Sequence, residues 1–313
     1  TGIQKSRDSM LSDAQSVASD VNQSLSSIAK LNGQIANAVA SGNDASSLKD
    51  QRDQLVTVVA SKIGAKTIAG DNGQITLFAA GTTLVDGNTA SSISVQADAN
   101  DNLQIQAHRS DGTTLDVTSY VADGSLGGIK EARDTDATST LNQLDQYAYD
   151  LSNAFNSINA SGYGTDGTTG NNIFVAPASV TGAAKAMALD PGIIGKPEKI
   201  AASSTAAGLP GGNDLAVKLA GLASAPLGGT TQSPTARFAT IASSLGIAKQ
   251  SADNEVSLRQ STVGQAQTMN DSASGVSLDE EMTNLTQYQR AFEASSKVLQ
   301  AVDELLQNLI QSL

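Results

Sequence analysis

Residues 17–39, VASDVNQSLSSIAKLNGQIANAV, decide the first part of the fold. Val17, Val21, Leu25, Ile28, Leu31, Ile35 and Val39 recur at steps of three and four, and mainly polar residues fill the other positions. This is the period of an α-helix with one apolar face. Working outward, the pattern predicts helix from about residue 8, with a stop and restart at Ser41-Gly42-Asn43-Asp44. A second helix follows, carrying Leu48, Leu55, Val59 and Ile63 and ending near Gly64.

From about residue 65 to 128 the period becomes two. Ile75 alternates with Leu77, Ile93 with Val95, Leu103 with Ile105, and Leu115 with Val117. Asp71-Asn72-Gly73, Asp86-Gly87, residues 98–102 and Asp111-Gly112 separate these runs with residues that accept turn geometry. A small antiparallel β domain inserted into a helical protein is therefore expected. Gly127-Gly128 closes it, and helical spacing returns in Leu141, Leu144, Ala148, Leu151, Phe155 and Ile158, a coiled-coil-like seam. All six prolines lie between Pro177 and Pro234, so residues 161–233 are expected to be loops with short elements. Helix resumes near residue 235, with Phe238, Ile241, Leu245, Ala248 and Ala252 on one face. Ser274-Gly275 interrupts it. In the final stretch Leu278, Leu285, Phe292, Leu299, Leu306 and Leu313 recur every seven residues, and Met282, Tyr288, Val302, Leu309 and Ile310 widen the stripe. Ser277 and Glu280 have the spacing of a capping box at its start.

The expected fold is α+β and mainly α: an elongated long-helix rod with an inserted antiparallel β domain and a C-terminal coiled-coil-type helix. The expected domains are the first part of the rod at 1–63, the β domain at 64–129, the second part of the rod at 130–276 with the Gly/Pro-rich loops at 161–233, and an assembly helix at 277–313. The last helix has no following element to cover its stripe, so a partner helix is its natural cover.

Composition narrows the function. The 313 residues hold 31 acidic and 19 basic side chains, a net charge of −12. Such a balance argues against nucleic acid and against anionic membrane surfaces, both of which need Lys/Arg patches. The sequence contains no cysteine, which removes disulfides, thiolate nucleophiles and Cys-based zinc sites. It contains one histidine, His108, so multi-histidine metal sites have no basis. Aromatic residues make up 3%, which suits slim helical packing better than a deep ligand pocket. No apolar run approaches the roughly 20 residues of a membrane span. The first ten residues lack the apolar core of a secretory signal, and the start at Thr1 is read as that of a fragment without its N-terminal region.

The candidate chemical features have plainer readings. His108 falls in an alternating strand and has no partner pattern. Asp98, Asn100 and Asn102 resemble the start of a calcium loop, but Leu103 stands where glycine is needed and Arg109 where glutamate is. Glu280 and Glu281 are neighbours on a helix, about 100° apart, and do not converge as a glycosidase pair. Gly127-Gly128, Gly211-Gly212 and Gly228-Gly229 match no phosphate-binding pattern. No catalytic, cofactor or metal residue is assigned.

Four segments carry a resemblance. They are Ser274–Leu285 (SGVSLDEEMTNL) with Gln287–Val298 (QYQRAFEASSKV), Leu48–Leu55 (LKDQRDQL), Gly127–Asp134 (GGIKEARD), and Ala154-Phe155-Asn156 with Gly162-Tyr163 and Gly167. Together they resemble signatures of the hook-associated protein 1 family of the bacterial flagellum. The resemblance implies a non-enzymatic structural subunit of the hook–filament junction, exported through the flagellar type III route and located outside the cell. It implies the hook protein, a second junction protein (hook-associated protein 3), copies of the chain itself and an export chaperone as partners. It assigns assembly packing to Leu278, Met282, Leu285, Tyr288, Phe292, Leu299, Val302, Leu306, Leu309 and Leu313. Other axial proteins of hook or filament type are the nearest alternative, and a secreted wall hydrolase is a remote one.

Overall fold

The computed structural model describes residues 2–274 and 282–297. Two helices come first, α1 (Gly2–Ala40) and α2 (Ser46–Ile63). Val21, Leu25, Ile28 and Ile35 of α1 are fully buried, and each such burial is worth about 1.5–3 kcal/mol. Val17, Leu31 and Val39 are half-buried at the margins of that face. Between the helices Gly42 takes a φ of +74°. The Asp44 carboxylate then accepts the backbone N–H of Ser46 at 3.0 Å and its hydroxyl at 2.6 Å, which satisfies a free donor at the start of α2.

Two antiparallel sheets follow. The first has the order β1 (Lys66–Ala69), β2 (Ile75–Ala79), β3 (Thr82–Asp86), β4 (Thr89–Ala90). The second has the order β5 (Ser92–Ala97), β6 (Leu103–His108), β7 (Thr114–Asp116). Alternation sends Ile75, Leu77 and Ala79, Ile93 and Val95, and Leu103, Ile105 and Ala107 inward. Leu115 departs from its expected place. It lies on the outermost strand, every residue of which is exposed, whereas Val117, just beyond the strand, is buried. The sheets have no core of their own: their inward residues form one apolar cluster with Ala14, Val21, Leu25 and Ile28 of α1 and Val59 and Ile63 of α2.

The chain returns to helix through α3 (Gly124–Lys130), a π-helical stretch Glu131–Ala137, and α4 (Thr138–Ala160). Gly127 and Gly128 lie within α3 rather than in a closing turn. At Gly127 a Cβ would come within 2.6 Å of the Ala122 carbonyl, so only glycine allows this approach. The predicted seam of α4 also differs. Of Leu141, Leu144, Ala148, Leu151, Phe155 and Ile158 only Ala148 is buried, and the buried face is Thr140, Ala148, Ser152, Asn156 and Asn159. Residues 161–233 are turns with short elements, including α5 (Ala183–Ala186) and α6 (Asp214–Gly221). The helix α7 spans Pro234–Ser274.

The chain divides into two compact units, Thr1–Ile247 and Ala248–Leu313. In the second, the rest of α7 and a helical segment at 282–297 expose nearly all their described side chains. Among the described residues no helix is long and apolar enough to cross a membrane.

Candidate assembly surfaces

The first unit is tied together by buried polar groups, and several of them fall in the segments singled out above. Arg133, in GGIKEARD, is fully buried in the π-helical stretch. Its Nε donates to the Arg7 carbonyl at 3.0 Å, and the Arg7 Nε donates in return to the Arg133 carbonyl at 3.3 Å. Both guanidiniums converge on Asp101, in the β5–β6 turn. Arg7 Nη1 reaches its Oδ2 and Arg133 Nη2 its Oδ1, each at 2.7 Å, and both arginines also donate to its carbonyl oxygen. Asp134 completes the cluster by accepting Arg133 Nη1 at 2.8 Å and the Leu103 N–H at 2.8 Å. Two cations and two anions thus satisfy one another and the surrounding backbone, the condition under which buried charge is tolerated. Burial pushes the Asp101 carboxyl up. Hydrogen bonds from Gln4 and Arg133 and the charges of Arg7 and Arg133 outweigh this and hold it below the ordinary carboxylate value.

Asparagines do similar work. Asn22 of α1 pairs with the Ile93 backbone of β5, donating at 2.8 Å and accepting at 2.7 Å. Asn32 does the same with Ile75 of β2 and also donates to the Gly87 carbonyl. On α4, Asn156 accepts the N–H groups of Ile173 and Phe174 and donates to the Phe174 carbonyl. Asn159 accepts the Ala201 N–H and donates to the Asn171 carbonyl. Arg52, in LKDQRDQL, donates to the Gly73 carbonyl at 2.7 Å and so holds the turn before β2. In the sequence Arg52, Arg133, Asp134 and Asn156 stand out only as letters of the resembling segments, and Arg7, Asp101, Asn22, Asn32 and Asn159 do not stand out at all. The visible trace is a polar residue beside an apolar stripe, such as Asn32 between Ile28 and Ile35.

His108 lies on the outward face of β6, its ring nitrogens 2.8 Å from Ser94 Oγ and 3.0 Å from Thr114 Oγ1. Asp98 Oδ1 accepts the N–H groups of Asn100 and Asn102, both at 2.8 Å, and so organises a turn with its own backbone. Among the described residues no group of three or more His, Asp or Glu side chains could hold a metal ion.

Of the predicted assembly positions, Met282, Leu285, Tyr288 and Phe292 are described. They lie at steps of three and four on a helix, within an arc of about 120°. All four are exposed, Tyr288 and Phe292 by 77% and 75%. An apolar helical stripe in that state gains free energy when another apolar surface covers it. Leu278, Leu299, Val302, Leu306, Leu309 and Leu313, with Ser277 and Glu280, lie outside the described residues.

Comparison with known proteins gives a consistent picture. Residues 1–174 match the family described as the flagellar hook-associated protein FlgK helical domain. Residues 267–312 match the C-terminal family of the flagellar basal body rod FlgEFG proteins. The flagellar hook-associated protein 1 of Bacillus subtilis is 29% identical, over 94% of this chain and 64% of its own length. That of Salmonella typhimurium is 33% identical, over 51% of this chain and 30% of its own length. The chain therefore spans under two thirds of these relatives. The structure of the flagellar hook junction protein FlgK from Burkholderia pseudomallei superposes with a TM-score of 0.51 at 26% identity, covering 56% of this chain and 32% of that one.

Proposed function

Because the chain belongs to the flagellar hook-associated protein FlgK family, we propose that it is an axial structural subunit that joins hook to filament. It acts by packing helices against neighbouring subunits and turns over no substrate. The observation that carries this reading is the exposed stripe of Met282, Leu285, Tyr288 and Phe292, which lies inside the segment similar to the rod-protein C-terminal family. In sequence the seven-residue repeat continues that stripe through Leu299, Leu306 and Leu313, widened by Val302 and Leu309. Its cover is the hook protein, a second junction protein and further copies of this chain, and an export chaperone shields it beforehand. The working location is extracellular, at the hook–filament boundary.

Immunogold electron microscopy of intact flagella tests the reading directly. A single band at the hook–filament boundary is the expected result. Label along hook or filament would support a second reading, another axial subunit, which the similarity at 267–312 favours. The stripe has its own test. Phe292→Asp leaves the isolated chain folded, because the ring is already in water, but it places a charge in a seam that assembly must dry. Motility and incorporation should therefore be lost with the melting temperature unchanged. Normal incorporation would remove the stripe from the interface.

A further inference from the structure

The base of α7 rests on α4 through a small set of contacts, all inside the first unit. Pro234 and Ile241 are buried, Phe238 packs against Tyr147 with ring centroids 6.1 Å apart, and Arg237 Nη1 meets Asp150 Oδ2 at 2.7 Å. Both side chains of the ion pair are largely buried. Gln146 donates to the other Asp150 oxygen at 3.0 Å. Gly228, at a φ of +60°, lies so close to Asp150 that a Cβ there would overlap the carboxyl. Three separate stretches of chain are thus shaped around one carboxylate. A buried ion pair adds little net stability over apolar packing, but it rewards one geometry and penalises others.

We propose that Asp150, Arg237 and Gly228 form a positioning lock that holds the first turns of α7 in one fixed seat on α4, and that assembly requires this seat. The proposal rests on the structural role inferred above. The lock works through geometry because the planar guanidinium donates to a carboxylate in few orientations, and the close approach of Gly228 narrows the carboxylate's choice further. Beyond Ile241 the described side chains of α7 within the first unit are half-buried at most, so the seat is set over two turns of helix. The stretch it seats leads the chain into the unit that bears the exposed stripe.

The absence of cysteine allows a clean measurement. Cysteines introduced at the exposed positions Ser157 on α4 and Ala239 on α7 carry spin labels, and pulsed electron resonance reads the distance distribution between them. A narrow distribution is expected for the native pair. Asp150→Asn, which still fits beneath Gly228, should broaden it, lower the melting temperature by about 5–10 °C and reduce incorporation at the flagellum at least tenfold. The double variant Asp150→Asn with Arg237→Met leaves no unpaired charge, so the melting temperature should recover while the broad distribution and the poor incorporation persist. A native distribution in Asp150→Asn, or full incorporation of the double variant, overturns the lock. The distance readout does not depend on where the protein works: wild-type chain missing from flagella would count against the proposed function and leave the seat measurable.

Discussion

The helices α1 and α4 each hold a stretch of irregular or sheet chain, and they do so with different chemistry. α1 buries Val21, Leu25, Ile28 and Ile35 and adds Asn22 and Asn32 at the edges of the apolar stripe. α4 buries Thr140, Ala148, Ser152, Asn156 and Asn159, and leaves its leucines half-covered. The first gains from removing apolar surface from water. The second gains from supplying hydrogen-bond partners to loop backbone that folding takes out of water. A helix can therefore organise its neighbours through amides as well as through leucines, and only the leucine mode shows in a hydrophobicity pattern.

Exchanging the chemistries is the strongest attack on this contrast. Leu25→Asn puts a near-isosteric amide in place of apolar surface, buries it without a partner, and should cost about 5 kcal/mol. Chemical denaturation should show loss of the whole first core, sheets included, because one apolar cluster spans them. Survival of the sheets would mean that they fold independently of α1. In α4 the opposite change, Asn156→Leu, adds apolar surface yet should destabilise by about 2–3 kcal/mol, since it strands the backbone groups of Ile173 and Phe174. Protease cleavage within residues 161–233 should rise with α1 unaffected. A neutral or stabilising result would make α4 an apolar scaffold like α1.

The smallest effect sharpens the comparison through pH. Asp101 has its folded value below the ordinary one, so its contribution is present above the ordinary carboxylate value near 3.8 and is lost as pH falls through the folded one. Its carboxylate is partly exposed, so screening limits the contribution to about 1 kcal/mol or less. Wild-type and Asp101→Asn melting temperatures should differ at neutral pH and converge as the pH falls below that ordinary value. A constant gap would assign the clamp to shape rather than charge. Asn156, outside this cluster and uncharged, offers the matching control, with no such convergence.

The division also explains what was legible in the sequence. Val21, Leu25, Ile28 and Ile35 mark α1, and Ile75 with Leu77, Ile93 with Val95 and Leu103 with Ile105 mark strands, because these contacts follow a local period. Ser41-Gly42-Asn43-Asp44 marks a break because turn chemistry is local as well. The α4 seam misled because Leu141, Leu144 and Leu151 have helical spacing whether or not anything covers them. Arg7 finds Asp101 and Arg133 at separations of 94 and 126 residues in sequence, and no periodicity encodes such distances. The exposed residues from Met282 to Phe292 lie between these extremes: their stripe is plain in the sequence, and the partner that we propose covers it belongs to another chain.

The reciprocal bonds between Arg7 and Arg133 have a mechanical consequence. They cross-link two points 126 residues apart and close everything between them into a loop. Tension entering along the first helix and leaving along the fourth therefore meets these hydrogen bonds first, and reaches the sheets through Asp101 in the β5–β6 turn and through the shared apolar cluster. An axial subunit of the kind proposed above would pass load through arginine and aspartate first, and its sheets would take the rest once the cross-link parts.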